Sequence, residues 1–468
     1  MQMRLPTLFM VVIFQCCLLP AAEAGATNQT STSVAGSSSA SKTGDSNAAP
    51  IVIFDALWKA LQDNYPMMEY AGARDEWLQE FKTKITAAPS RGAAFELMDE
   101  LVCRLNDYHT RLSWPDRPPL SSPPFKAEPV FTAGSMLSDN AIWEVRPPLE
   151  LPTLDGVVIE VVDASTNCGV QAGDEIVSVD GVSVGEALAR AWPHVACSSA
   201  AGKLRAAAGR MLQGKTGGEL KLGVRRHQPE GGEETVAVTV SRSRVPAGDT
   251  ISSRDVDGVP VIRIARWSNA RGENLVAQFD KVLNEMRARS GIIIDVRGNG
   301  GGQDNLASQV VGRFIKTPVI ASISFHRVVP GLTYERTVDM TQPRGPWRYE
   351  GRVAVLTDEG CMSACEHFVS GMAEAGALLC GTPTSGACGW IRSVDLPGGA
   401  KVFVSQTFPL HSGGIPSPLL GIAPHLWARR TLADLQAGKD TALRAALLWI
   451  KSNDPLPARM QPLSPFSR

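Results

Sequence analysis

The sequence predicts an α/β fold with an N-terminal helical segment and an inserted β-rich domain. Three observations predict it. Over residues 250–452, short apolar runs alternate with amphipathic segments, as expected of strands layered against helices. Over 51–112, apolar residues recur at spacings of three and four. From about 154 to 243, strand-like runs are separated by glycine and Asp-Gly turns.

The first element is a leader. Arg4 is its positive end, Leu8 to Leu19 is apolar except for Gln15, and Ala22-Glu23-Ala24 offers small residues for cleavage. The run is well short of the roughly 18–20 residues a membrane span needs, so 1–24 reads as a secretory signal peptide cut after Ala24. Cys16 and Cys17 follow the bulky Phe14 and Gln15, so no lipid anchor is expected. Residues 25–50, rich in Ser, Thr, Ala, Gly and Asn, read as a disordered, solvated tether. The protein is therefore expected to be exported, to a periplasm or beyond, with no stable membrane anchor.

Residues 51–125 form the helical segment. Its stripes are Ile53, Phe54, Leu57, Leu61 and Tyr65, then Trp77, Phe81 and Ile85, then Phe95, Leu97, Met98, Leu101, Val102 and Leu105. Pro115, Pro118, Pro119, Pro123 and Pro124 end it.

The insert spans 150–245. Gly156 to Val162 is strand-like, Gly169 to Gly181 reads turn, strand, Asp-Gly turn, and Leu220 to Arg225 with Val236 to Ser241 read as a closing hairpin.

In the 250–452 core the apolar runs are Val259 to Ala265, Gly291 to Val296, Val319 to Ser324, Val353 to Thr357 and Leu378 to Gly381. Amphipathic segments lie at 273–289, 303–316 and after Ser363, and a last helix at about 440–451. Residues 453–468 are a tail.

Composition excludes several functions. The 46 Lys plus Arg balance 47 Asp plus Glu, and this near-zero charge argues against nucleic acid and a polybasic membrane anchor. The apolar fraction of 44% supports a real core. Seven cysteines follow the leader, and export permits disulfides, with Cys168 and Cys197 as one plausible pair. Cys361 and Cys365 lack the partners a zinc site needs, so no metal or other cofactor is expected.

Four segments could carry chemistry. Asp295-Val296-Arg297-Gly298-Asn299-Gly300-Gly301-Gly302 follows a strand, and such a turn exposes N–H groups able to polarise a carbonyl. It equally reads as a tight turn without a ligand. Cys361-Met362-Ser363-Ala364-Cys365-Glu366 sits between a strand and a helical run. Ser363 and Glu366 match a capping box, and the same turn would expose Ser363 as a nucleophile. Cys361 or Cys365 could serve as nucleophile instead. Asn106-Asp107-Tyr108-His109-Thr110 offers His109 as a base, although a lone histidine is more often structural. Gly381 to Gly389 reads as a loop.

Together these segments resemble the tail-specific, or C-terminal processing, protease family (serine peptidase family S41). Leu105 to Thr110 is similar to its Leu-x-Asp-x-His-(Thr/Ser), and Gly169 to Gly181 looks like a PDZ domain. Ile292 to Gly301 is similar to its core strand and glycine turn, and Ser363-Ala364-Cys365-Glu366 to its Ser-Ala-x-Glu. Gly421-Ile422-Ala423-Pro424-His425, then Asp434 and Asp440, resembles its C-terminal motif.

The resemblance implies a crotonase-like ββα core and a PDZ-like insert that recruits unfolded or C-terminal polypeptide segments, its carboxylate loop near Phe131 to Leu137. It implies Ser363 as nucleophile and an oxyanion hole from Gly301 or Gly302 with Ala364. The Ser–Lys branch carries a lysine in Thr-x-Gly-Lys-Gly. Here Cys388 stands at that position in Thr384 to Gly389, and Arg392 nearby stays protonated. The tricorn-like branch uses a histidine, and His109 matches it. The third member is unassigned, with Asp107 and Glu366 as candidates for support. The resemblance therefore implies a serine-type endopeptidase. The alternative is a non-catalytic peptide- or lipophile-binding protein on the same scaffold.

Overall fold

The computed structural model describes residues 47–458 except 67, 69–73, 118, 132–156, 165–167, 229–230, 244–247, 270–271, 273, 328–333, 412–414 and 417–420. The leader, nearly all of the tether, most of the expected carboxylate loop and the end of the tail lie outside the described residues.

The helical stripes form the helices Pro50–Asn64, Arg74–Thr86 and Arg91–Arg104. Proline opens the first, where its missing N–H costs nothing, and Ser90 caps the third by accepting the Ala93 N–H. Their apolar faces bury Ile53, Phe54, Leu57, Leu61, Phe81, Phe95, Met98 and Leu101. They pack on Val402 and Val404, nearly 300 residues away. Those two belong to a three-stranded antiparallel sheet, Arg111–Ser113, Lys401–Ser405 and Ile391–Asp395. The chain enters this sheet through Asn106, which takes a positive φ of 53°, and Lys203 Nζ donates to Asn106 Oδ1 at 2.8 Å.

The β-rich unit is an antiparallel sheet in the order Phe125–Phe131, Val157–Ala164, Glu175–Val179, Glu219–His227, Glu233–Ser241. The sheet thus takes in a strand from before residue 150. Helices Val184–Ala191 and Ala200–Leu212 cover one face, and Ile159, Val161, Ile176, Leu188, Leu204, Leu222 and Val224 form its own core.

The main sheet runs Ile251–Val256, Val259–Ile264, Gly291–Asp295, Arg352–Thr357, Leu378–Gly381, Leu426–Trp427. Only its first pair is antiparallel. Strand Gly291–Asp295 is buried throughout, as parallel strands are when helices cover both faces. Ile292 and Ile294 face helices Leu275–Glu285, Asp304–Val311 and Ala364–Glu374, while Ile293 faces helix Thr441–Lys451. A second antiparallel sheet, Tyr334–Thr341, Val319–Arg327, Thr407–His411 and Ile415–Pro416, lies alongside. No helix among the described residues is long and apolar enough to cross a membrane.

Candidate active site

The site forms where the main sheet's strands end. Beyond Gly291–Asp295, Asp295 pairs with Arg297 at 2.8 Å and Arg263 at 3.2 Å, which pins the start of the glycine turn. Asn299 is fully buried and organises the rest. Its Nδ2 donates to Ile264 O at 3.0 Å, its Oδ1 accepts the Gly301 N–H at 2.9 Å, and its carbonyl accepts Met362 N–H at 3.1 Å. This one residue therefore ties the turn to the loop that carries Ser363, its side chain holding the turn and its carbonyl the loop.

Both following glycines take backbone angles that favour glycine, φ +96° at Gly301 and +138° at Gly302. The expectation that Gly301 supplies an oxyanion donor is corrected here, because Asn299 already takes its N–H. Gly302 differs. Its bridge to Trp267 uses the Gly301 carbonyl (3.0 Å) and the Gln303 N–H (2.8 Å), so its own N–H turns away. Ala364 is the first residue of helix Ala364–Glu374, and its N–H is an orphan donor of the helix start.

Ser363 sits at φ 55°, ψ −124°, a region L-residues rarely adopt. It is half-buried. Its N–H donates to Ala387 O at 2.7 Å, and its carbonyl accepts from Glu366 and His367 at 2.8 and 3.1 Å. Its side chain makes no capping hydrogen bond, so the capping box read from the sequence does not form.

Glu366 is buried and points elsewhere. Its Oε1 accepts from Thr384 Oγ1 at 2.5 Å and Gly386 N–H at 2.8 Å, while Oε2 has no partner. Burial pushes its carboxyl up to about 7, against the pull of those two hydrogen bonds. Glu366 thereby braces the loop that presents Ala387 to Ser363.

His109 is buried, with Tyr108 edge-on at 6.1 Å. Asp107 spends both oxygens on the backbone turn, accepting His109 N–H at 2.9 Å and Thr110 Oγ1 at 2.7 Å. It therefore holds the loop and not the imidazole. Among the described residues, His109 Nδ1 has no hydrogen-bond partner and no hydrogen bond joins His109 to Ser363. Burial lowers the imidazole pKa and Arg111 adds to this, while Asp107 and Asp304 oppose it. A chain of contacts links the two segments. Thr110 Oγ1 accepts Ser405 N–H at 3.2 Å, Gln406 N–H donates to Trp390 O at 2.7 Å, and Trp390 lies three residues from Ala387.

No amine base stands in the Thr384–Gly389 loop: Cys388 lies there, its Sγ 4.0 Å from Ser363 O, while Arg392 reaches Asn64 at 3.2 Å. No disulfide joins the described cysteines. The expected Cys168–Cys197 pair does not form, since Cys168 Sγ contacts Val170 O and Cys197 Sγ lies 3.1 Å from Ser385 Oγ. Cys361 and Cys365 are buried, both against Val296 O. Burial pushes the Cys361 thiol far up, the opposite of what a thiolate nucleophile needs.

Sequence reasoning missed Asn299 and Asp358. Asp358 accepts Gly298 N–H at 2.7 Å, Gly360 N–H at 3.0 Å and Arg205 at 2.6 Å. Burial alone would raise its pKa, but Arg205, Lys126 and the Gly298 N–H outweigh it and hold the carboxyl near 2. Arg205 also pairs with Glu128, joining the β-rich unit to the turn. Among the described residues, Glu96, Asp99 and His194 bring ligand atoms within 4.8 Å of one another, but Asp99 is already paired with Arg117 at 3.1 Å.

Residues 258–426 match the family description "Peptidase family S41". A carboxyl-terminal-processing protease from Picosynechococcus sp. is 23% identical over 365 residues, covering 76% of this chain and 78% of that protein. The solved structure of mature CPAF complexed with lactacystin is 18% identical with a TM-score of 0.61, covering 86% of this chain and 97% of that one. The photosystem II D1 C-terminal processing protease is 17% identical with a TM-score of 0.50, covering 88% of this chain and 100% of that one. These structures share the mixed α/β fold.

Proposed function

We propose that this chain, a serine peptidase by virtue of its family S41 domain, works through Ser363 as nucleophile and His109 as general base. The observation that carries the reading is the strained Ser363, whose hydroxyl takes no part in capping its helix and whose backbone abuts the glycine turn. Such strain persists at sites where geometry matters to chemistry.

In this mechanism His109 Nε2 takes the proton from Ser363 Oγ, which bonds to the carbonyl carbon of a peptide. The oxyanion is held by the N–H groups of Gly302 and Ala364. The C–N bond then breaks, and His109 gives its proton to the departing amine. Water, losing a proton to His109, attacks the acyl-serine, and Ser363 regains its proton as the acid leaves. The lowered pKa keeps His109 neutral, as a base must be, in the neutral pH range.

The substrates are polypeptides, and we read unfolded or C-terminal segments as the preferred class. The β-rich unit, a PDZ-like fold in this reading, recruits them by pairing with an extended strand. The leader directs the chain to a periplasm or to the outside.

The test is digestion of an unfolded-peptide mixture by residues 25–468, with Ser363→Ala and His109→Ala as controls. Cleavage lost in both variants supports the reading. Cleavage that survives Ser363→Ala overturns it, and an inert wild type shifts the weight to peptide binding without catalysis.

A further inference from the structure

We propose that Asp304 selects substrates by charge, favouring a cationic side chain beside the scissile bond. The inference rests on Ser363 as nucleophile. Its geometry comes from two helices, Asp304–Val311 and Ala364–Glu374, which follow the neighbouring parallel strands Gly291–Asp295 and Arg352–Thr357. Their contacts advance in step. Ser308 Oγ lies 2.9 Å from His367 Nε2, and one turn further a Cβ on Gly371 would meet Val311 at 3.0 Å. One turn back from the Ser308–His367 contact stand Asp304 on one helix and Ser363 on the other. Gly301, three residues before Asp304, also approaches Ser363, a Cβ there falling 2.7 Å from the serine Cβ.

Asp304 is exposed and makes no hydrogen bond or ion pair among the described residues. Partial burial pushes its pKa up, Asp339 adds to this, and His367 and His109 pull it down. The imidazole of His109 feels the same carboxylate. Asp339 adds negative charge to this surrounding and accepts from Ser322 Oγ at 2.7 Å. Arg111, whose charge reaches His109, stacks on Phe403 at 4.3 Å and is not paired with Asp304. The carboxylate is therefore exposed one helical turn back from the Ser308–His367 contact, with no cation paired to it among the described residues. An acidic residue in a first helical turn also stabilises the helix dipole. That role would not distinguish one substrate from another.

The test uses peptides identical except for Lys, Gln or Glu beside the cleaved bond, assayed at pH 8 with wild type, Asp304→Asn and Asp304→Lys. The wild type is expected to favour Lys over Gln by roughly tenfold in kcat/KM, the scale of a hydrogen bond to a charged group. Asp304→Asn should abolish the preference and Asp304→Lys should reverse it toward Glu. The same peptides are titrated, by fluorescence anisotropy, into Ser363→Ala and Ser363→Ala/Asp304→Asn. Charge-selective binding that needs Asp304, without cleavage by any form, would keep Asp304 as a charge-selecting contact and remove the nucleophile assignment. Cleavage or binding with the same charge ratio in wild type and Asp304→Asn would overturn the proposal and leave the nucleophile assignment standing.

Discussion

Gly301 lies so close to Ser363 that a Cβ added to the glycine would sit 2.7 Å from the serine's own Cβ. It would also sit 2.7 Å from Met362 O, and the φ of +96° is itself hostile to a side chain. Gly301→Ala must therefore push the glycine turn and the serine loop apart. Peptidase activity is expected to fall by about 10²–10³, the scale of a lost oxyanion donor. Thermal unfolding with kcat/KM measured alongside checks this, and near-normal activity in a folded variant would show that the contact is not needed.

The positive φ of Ser363 predicts a stability difference between two variants. Alanine keeps the strain, and glycine relieves it. Ser363→Gly is expected to be more stable than Ser363→Ala by about 1 kcal/mol, after allowing for the greater freedom of unfolded glycine. Urea denaturation of both measures it.

Glu366 predicts a pH dependence. Its folded pKa of about 7 stands above the usual 4.5. The folded state therefore holds this proton more tightly than the unfolded chain does. The associated stability is fully present below about pH 4.5 and is lost as pH rises through about 7, a change of about 3 kcal/mol. Glu366→Gln keeps an oxygen acceptor for Thr384 and Gly386 and removes the titration. The stability of the glutamine variant relative to wild type should rise between pH 5 and pH 8, as read from urea midpoints at each pH.

His109 predicts the acid limb of activity. Its pKa lies below the ordinary value of 6.5, chiefly through burial. A base with a lowered pKa stays neutral to lower pH, so kcat/KM should hold level down through pH 6.5 before it falls. A pH profile with a limb at or above pH 7 would point to a different titrating group.

The legible parts of the fold were those with strong periodicity. Ile292 to Ile294 stood out because a strand buried on both faces is apolar without interruption. Strands Ile391–Asp395 and Lys401–Ser405 did not, since the first is largely exposed and the second takes its other neighbour, Arg111–Ser113, from far along the chain. The pairing of Arg111–Ser113 with Lys401–Ser405, which sets the His109 loop against the core, leaves no local signal. Ser363 and Glu366 had capping-box spacing, but spacing does not reveal a φ of 55° or the pull of Thr384 on the glutamate. Asn299 looked like one more turn residue, and its role depends on Ile264 and Met362 arriving from elsewhere.

In the proposed mechanism Ser363 is a nucleophile activated by His109. Treating the protein with a fluorophosphonate that traps activated serines, then mapping the adduct by mass spectrometry, tests it most directly. One adduct is expected, on Ser363 Oγ, strongly reduced in His109→Ala and absent in Ser363→Ala. An adduct on another residue, or equal labelling of Ser363 with and without His109, would contradict it.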